Sequence, residues 1–200
     1  MAVETETFTA ANGTDITSVG SSIWAYGNGS SGKLFVTDNR IRSILNENIA
    51  WFARRAGTFA DDQYAQIKLA KFASNSRIGV CVRASTSGTC YLLVTSSSAY
   101  LLVRRINFDY VELRAGSLAF SVNDVLTLEA SGTTLTCKKN GTSFWTQTDS
   151  NIASGNPGVA DISANALDFT AGDDWEGGDL VTAALQNFQY DWPHQLHARR

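Results

Sequence analysis

The chain has 200 residues, of which 44% are hydrophobic and 18% charged, and its net charge is −3. That length buries one core without help from a disulfide or a metal, and the composition is too apolar for a disordered segment. The acidic balance offers no basic field to a polyphosphate backbone, so nucleic acid is not an expected partner. In chain order, short runs of β-forming residues alternate with Gly, Asn, Asp and Ser. Residues 22–26 form the first such run, broken by a Gly/Ser-rich turn at 27–32. Residues 34–37, the Asp38-Asn39 turn and 40–45 read as a hairpin. Along 64–72 the period is two, with Ala65, Ile67 and Leu69 on one face and Gln66 and Lys68 on the other. The most apolar runs are 78–84, 90–95 and 100–106, each suited to a sandwich-core strand. Residues 107–110 then turn the chain into 111–114.

A meander follows. Residues 125–130 alternate, Ser131-Gly132 turns, 133–139 alternate again, Asn140-Gly141 turns, and 142–146 complete it. Asn-Gly suits a tight hairpin whose two central residues both need positive φ. Gly155-Asn156-Pro157-Gly158 reads as another turn before Val159 and Ile162. The composition changes after Asp173-Asp174, and 180–190 reads as a short helix or an extended arm stopped by Trp192-Pro193. The expected division is a β-sandwich over 1–178 and a C-terminal arm over 179–200.

Cys81, Cys90 and Cys137 form an odd set without a CxxC pair, which suggests buried free thiols rather than a disulfide framework. The first residues carry neither a basic nor an apolar leader region, so the expectation is synthesis in the cytosol without secretion. No stretch approaches the ~20 apolar residues of a membrane span. The three Asn-Gly-Ser/Thr sites, at Asn12, Asn28 and Asn140, read as turns.

Two blocks carry a family resemblance. The first is 63–74 with Ile78-Gly79-Val80-Cys81-Val82-Arg83-Ala84-Ser85 and Tyr91-Leu92-Leu93-Val94. The second is 126–129, Ser131-Gly132-Thr133-Thr134-Leu135, Lys139-Asn140-Gly141-Thr142 and 148–158. Together they cover about half the chain, and they resemble the concanavalin A-like lectin/glucanase superfamily, in particular its laminin-G-like jelly-roll modules. The resemblance implies an all-β fold of two curved antiparallel sheets, a jelly-roll sandwich, with any ligand on the concave face or on the loops at one rim. Such folds host lectins, hydrolases, lyases and structural domains alike, so function must come from a site.

Catalytic signals are weak. Glycan hydrolysis needs two carboxylates at a fixed separation, and the Glu-x-Asp-x-x-Glu strand motif of the superfamily's hydrolases does not occur here. The nearest approach, Asp174-Trp175-Glu176-Gly177-Gly178-Asp179, has the wrong order, and its Gly-Gly reads as an acidic solvated loop. The only histidines, His194 and His197, lie in the terminal tail beyond a proline, where a rigid site is not expected. No catalytic residue is therefore assigned.

Three binding surfaces are expectations. Hard oxygen ligands crowd the stretch from Asp161 to Asp179, and Asp168, Asp173, Asp174 and Glu176 are candidates for a structural Ca²⁺, against the alternative of a solvated acidic face. Tyr100, Arg104, Tyr110 and Arg114, with Arg105 and Asn107 in the same hairpin, are candidates for glycan recognition by aromatic faces and hydrogen-bonding arms. Trp51, beside Arg54 and Arg55, is a second glycan candidate; for both, the alternative is half-buried sheet aromatics and outer-face charges. Leu185, Phe188, Tyr190 and Trp192 are too apolar for a free tail, so the arm either covers its own sheet or docks on another protein subunit. The functional expectation is a non-catalytic binding or structural module, displayed on a phage virion as a capsid decoration or tail appendage. A free-standing bacterial carbohydrate-binding module and a glycan-cleaving enzyme are the alternatives.

Overall fold

In β6 (Gln63–Lys71) buried and half-exposed residues alternate, and Ala65, Ile67 and Leu69 are wholly buried. This is the alternation read from the sequence, and it places one face of the strand in a core and leaves the other for solvent. The computed structural model describes residues 2–20, 23–27, 34–43, 47–74, 76–107, 109–163 and 169–180, with backbone only at 47–51 and 163. Fifteen strands and one 3-10 turn (Ile16–Ser18) occupy the described residues.

The strands form two antiparallel sheets. One runs β13 (Thr142–Thr148), β12 (Thr134–Lys139), β11 (Val125–Ser131), β6, β15 (Ala171–Asp179), β4 (Arg40–Ser43) and β3 (Leu34–Thr37). Its eighth strand, β1 (Val3–Glu6), pairs with β15 beside Trp175 to Gly178. The other sheet runs β10 (Asp109–Ser117), β9 (Ala99–Ile106), β8 (Cys90–Thr95), β7 (Ser76–Ala84), β14 (Asn156–Ser163), β5 (Glu47–Arg55) and β2 (Trp24–Tyr26). β11 is hydrogen-bonded to β6, and β14 lies between β7 and β5, so strands distant in sequence are neighbours, as a jelly roll requires.

The meander forms as its turn residues dictate. Asn140 and Gly141 have φ of 50° and 77°, the two positive values that a type I′ turn needs. Asp38 and Asn39, at 52° and 55°, close the β3–β4 hairpin in the same way.

One expectation is corrected outright. The acidic 174–179 stretch is not a loop but the larger part of β15, a strand inside the eight-stranded sheet. Its glycines mark close approaches: a Cβ at Gly178 would stand 2.3 Å from the Ala2 carbonyl oxygen of the adjoining chain, and one at Gly177 would be 2.5 Å from the Trp175 ring. The side-chain-free pair thus admits both β1 and an indole. The Gly155–Gly158 turn is also shorter than expected, because β14 already begins at Asn156.

The sheets enclose one apolar core, with Ile67, Leu69, Val80, Leu93, Leu102 and Leu128 among its wholly buried members. Trp175 crosses it: its ring sits edge-on to Trp24 at 4.8 Å, and its Nε1 donates to the Gly158 carbonyl of the opposite sheet at 3.0 Å. Cys81, Cys90 and Cys137 are all buried free thiols. Burial pushes each of them above its ordinary value, Cys137 to about 12.

Buried charges hold the rims. Arg83, only 2% exposed, donates to the carbonyls of Asp61, Ile152 and Gly132 at 3.0, 2.8 and 2.7 Å and so ties three loops together. Asp149 accepts from Tyr91 Oη at 2.6 Å and from Arg104 Nη1 at 2.5 Å, while Tyr91 Oη accepts the Ile152 N–H at 3.0 Å.

Candidate functional site

The outward residues of β6 are Tyr64, Gln66, Lys68 and Ala70, and the first three are polar. Strand register continues each of them sideways. Gln66 lies opposite Thr127 of β11 on one side and Glu176 of β15 on the other; Thr127 in turn faces Lys138 of β12, and Glu176 faces Thr5 of β1. This makes one polar row across five strands. Tyr64 lies between Glu129 and Gly178, and Gly178 faces Val3, so the second row has a gap where glycine has no side chain. Lys68 lies between Val125 and Asp173. Between Asp173 and Glu176 the register shifts, and Asp174, at φ 45°, is turned toward Lys68.

These rows floor two depressions that meet at Gln66. One, of about 300 Å³, is lined by Tyr64, Gln66, Thr127, Glu129 and Lys138 together with Val3 and Leu180. The other, of about 370 Å³, is lined by Gln66, Lys68, Asp174 and Glu176 with Thr5 and Thr7. Together they form a groove across the outer face of the eight-stranded sheet.

Hydrogen bonds preset the groove. Tyr64 Oη donates to Glu176 Oε1 at 2.5 Å, and Gln66 Nε2 donates to the same oxygen at 3.3 Å. Thr127 Oγ1 donates to Gln66 Oε1 at 3.3 Å. Burial and the Glu176 carboxylate push the Tyr64 phenol well above its ordinary value, so it stays a donor at any physiological pH. Lys138 holds Glu129 at 2.5 Å and Lys68 holds Asp174 at 2.7 Å; the hydrogen bond to Asp174 raises Lys68 above its ordinary value. Each cation is thus matched by a carboxylate, and Glu176 is met by neutral donors. Such a surface offers paired donors and acceptors, with an excess of carboxylates from Glu176, Glu6 and Asp179.

The sequence-derived candidates are placed differently. In β9, Tyr100 and Leu102 point into the inter-sheet core, while Leu101 and Val103 point out. Tyr100 is only 6% exposed and packs edge-on against Phe144 at 4.8 Å, so it is a core aromatic. Arg104, on the same side, is engaged by Asp149. Burial alone would raise Asp149, but hydrogen bonds from Tyr91 and Asn151 and the charge of Arg104 hold it below the ordinary carboxylate range. Tyr110 pairs with Arg105 and is 41% exposed, with the Arg105 guanidinium 5.4 Å from its ring centre. A register shift between Glu112 and Arg114 then brings Arg114 over the Trp145 ring at 4.1 Å, where it closes the gap between edge strands β10 and β13. The hairpin therefore splits these residues between faces and presents no single patch. The backbone of Trp51 pairs with Asp161 in β5, but its side chain lies outside the described residues.

Of the proposed calcium ligands, Asp168 lies outside the described residues. Asp174 and Glu176 are engaged by Lys68 and by Tyr64 with Gln66. Asp173 is raised above its ordinary value, chiefly by burial. Among the described residues, no three His, Cys, Asp or Glu side chains converge as a metal site. Leu185, Phe188, Tyr190 and Trp192 lie outside the described residues. Gln66 and Lys68 of β6 and Thr127 and Glu129 of β11 could be read from the sequence as outward residues, but nothing in the spacing joins them, with Tyr64 and Lys138, into one site. The link between β6, β11 and β15 is a matter of topology, and spacing along the chain carries no trace of it.

No protein-family model and no curated protein sequence matches the chain. Solved structures do. A carbohydrate-binding module, CBM66, from Bacillus subtilis is 14% identical with a TM-score of 0.55, covering 78% of this chain and 92% of that one. The β-glucanase of Bacillus licheniformis is 10% identical with a TM-score of 0.52, covering 90% and 99%. The exoplasmic/lumenal domain of VIP36, in its Ca²⁺/Man3GlcNAc-bound form, is 14% identical with a TM-score of 0.54, covering 83% and 88%. At such identities the likeness is one of fold, and in fold the chain is a concanavalin A-like jelly-roll sandwich.

Proposed function

We propose that this chain is a non-catalytic carbohydrate-binding module whose ligand, a neutral oligosaccharide, lies along the groove on the outer face of the eight-stranded sheet. The observation that carries the reading is the pair of depressions joined at Gln66 and floored by matched donors and acceptors on β1, β6, β11, β12 and β15. A sugar hydroxyl both donates and accepts, so it is best met by a carboxylate beside an amide, a hydroxyl or an ammonium group. Glu176 beside Gln66 and Tyr64, and Glu129 beside Lys138, supply such pairs. The excess of carboxylates (Glu6, Glu129, Asp174, Glu176 and Asp179) over Lys68 and Lys138 along the groove disfavours a polyanion and leaves a neutral glycan as the better fit. Each depression is at the lower end of the range for small-molecule sites, about 300–1,000 Å³. The carbohydrate-binding module and the VIP36 domain of the same fold support the reading.

A glycan array selects the ligand, and calorimetric titration of Gln66→Ala and Glu176→Gln tests the site. Each substitution removes or weakens a polar contact worth about 1.5–3 kcal/mol when one partner is charged, so affinity should fall roughly tenfold or more. Tyr110→Ala, on the opposite sheet, should bind as the parent does. Binding unchanged in both groove variants, or no binding to any glycan, rejects the proposal. Release of reducing ends from the selected glycan would make the chain a hydrolase instead. A phage virion surface is the setting we put forward, following the sequence reading. Peptides of this chain in purified particles would support it, and their confinement to the culture supernatant would favour a free-standing bacterial module.

A further inference from the structure

The seven-stranded sheet carries a buried apolar cluster on each side, with the buried Arg105 beside Phe52 on the outer one. Its inner side contributes to the core between the sheets, while Phe52, Cys81, Cys90, Leu92, Val94 and Ala160 form a second cluster on its outer side, each wholly buried. β8 accordingly has no exposed position along its whole length. A strand buried on both faces needs a layer on each side. Yet all fifteen described strands belong to the two sheets, and the one 3-10 turn places Ile16 in the inter-sheet core, so no described element is left to cover the outer cluster.

We propose that the C-terminal segment 181–200 of this same chain lies across that face as a third layer. The described chain ends at a suitable place. The Leu180 N–H donates to the Asp62 carbonyl, and the adjoining Gln63 bonds both Gly155 and the backbone of Arg83, at the rim where β7 ends and β14 begins. Ala84, in the last position of β7, already belongs to the outer cluster. From that rim the segment must pass a sheet separation of about 10 Å and then cross β14, β7 and β8, spaced about 4.8 Å apart. Twenty residues reach roughly 30 Å as a helix and twice that when extended. The other stretches outside the described residues, such as 28–33, 44–46 and 164–168, are too short to do so. The composition of 181–200 also suits a covering layer, because Val181, Leu185, Phe188, Tyr190 and Trp192 supply apolar surface, Asp191 is the one charged residue among them, and Arg199 and Arg200 fall at the end.

The three thiols report on this directly. Cys81 and Cys90 lie in the outer cluster, whereas Cys137 lies in the core between the sheets. In the full-length native protein, a pulse of iodoacetamide mapped by mass spectrometry should leave all three unmodified, at every protein concentration. With Leu185→Asp and Phe188→Asp together in the full chain, Cys81 and Cys90 should be alkylated roughly tenfold faster or more, while Cys137 keeps its slow rate. Unchanged Cys81 and Cys90 in that variant would overturn the proposal. Protection in the parent that is lost on dilution would also overturn it, since a second copy would then be the cover. If all three thiols open together, the milder Phe188→Ala decides: selective exposure of Cys81 and Cys90 upholds the third layer, and uniform exposure refutes it.

Discussion

Tyr91→Phe removes a single oxygen and tests how the rim beside β8 is held. Tyr91 Oη donates to Asp149 Oδ1 at 2.6 Å and accepts the Ile152 N–H at 3.0 Å, all in buried surroundings. Burial and the neighbouring carboxylate push the phenol up to about 12, so it is a donor throughout the accessible pH range. The variant loses a hydrogen bond to a charged acceptor, worth about 1.5–3 kcal/mol, and strands a buried N–H at a cost of about 1–3 kcal/mol. Allowing for relaxation, the expected loss is about 3 kcal/mol at pH 7, or about 6–12 °C in Tm for a domain of this size. The pH dependence has a definite sign. Asp149 is held below its ordinary value of 3.8 in the folded state, so its ionised form adds stability that is present above that value and lost as pH falls through the folded one. The Asp149 share of the difference between parent and variant should therefore begin to shrink below about pH 5 and disappear at the acid end, leaving the Ile152 share. Urea unfolding of both proteins at pH 7 and at pH 3 measures this. A difference below about 1 kcal/mol at pH 7, or one that does not shrink with acid, refutes the reasoning.

Other substitutions separate crowding, strain and loop anchoring. Gly158→Ala puts a Cβ 2.1 Å from the Ala53 carbonyl oxygen and disturbs the acceptor of Trp175, so it should cost about 3 kcal/mol or prevent folding, read by circular dichroism and melting. Gly141→Ala meets nothing within 4 Å and suffers only from a φ of +77°, so its cost by the same measurement should be about 1 kcal/mol. Arg83→Lys cannot reach the three carbonyls that the guanidinium spans, and it should lose about 3 kcal/mol or more. Limited proteolysis should then cut first near Asp61, Gly132 or Ile152.

What the sequence made legible follows from how local each signal is. The β11–β13 meander was readable because alternation and two-residue turns act over a few positions. β15 was not, because its glycines answer to the backbone of β1 and to the Trp175 ring, contacts that no local pattern encodes. The glycan candidates on β9 and β10 are divided between faces for a related reason: a register shift after Glu112 reverses which side Arg114 faces. Polar residues at every second position of β6 were visible, but the groove also needs β11 and β15 beside them, and those neighbours come from the crossover topology. The uninterrupted apolar runs of β7 and β8 did carry a further message, since a half-solvated strand would have alternated.

The central claim is that ligand binds across the outer face of the eight-stranded sheet at Gln66. Titration of ¹⁵N-labelled protein with the array-selected oligosaccharide, followed by amide chemical shifts, tests it most directly. Binding in the groove predicts shifts concentrated at Tyr64, Gln66, Lys68, Thr127 and Glu176, on strands of one face. Shifts confined to the rim loops around Ser85 and Asn151, or to the seven-stranded sheet, would contradict it.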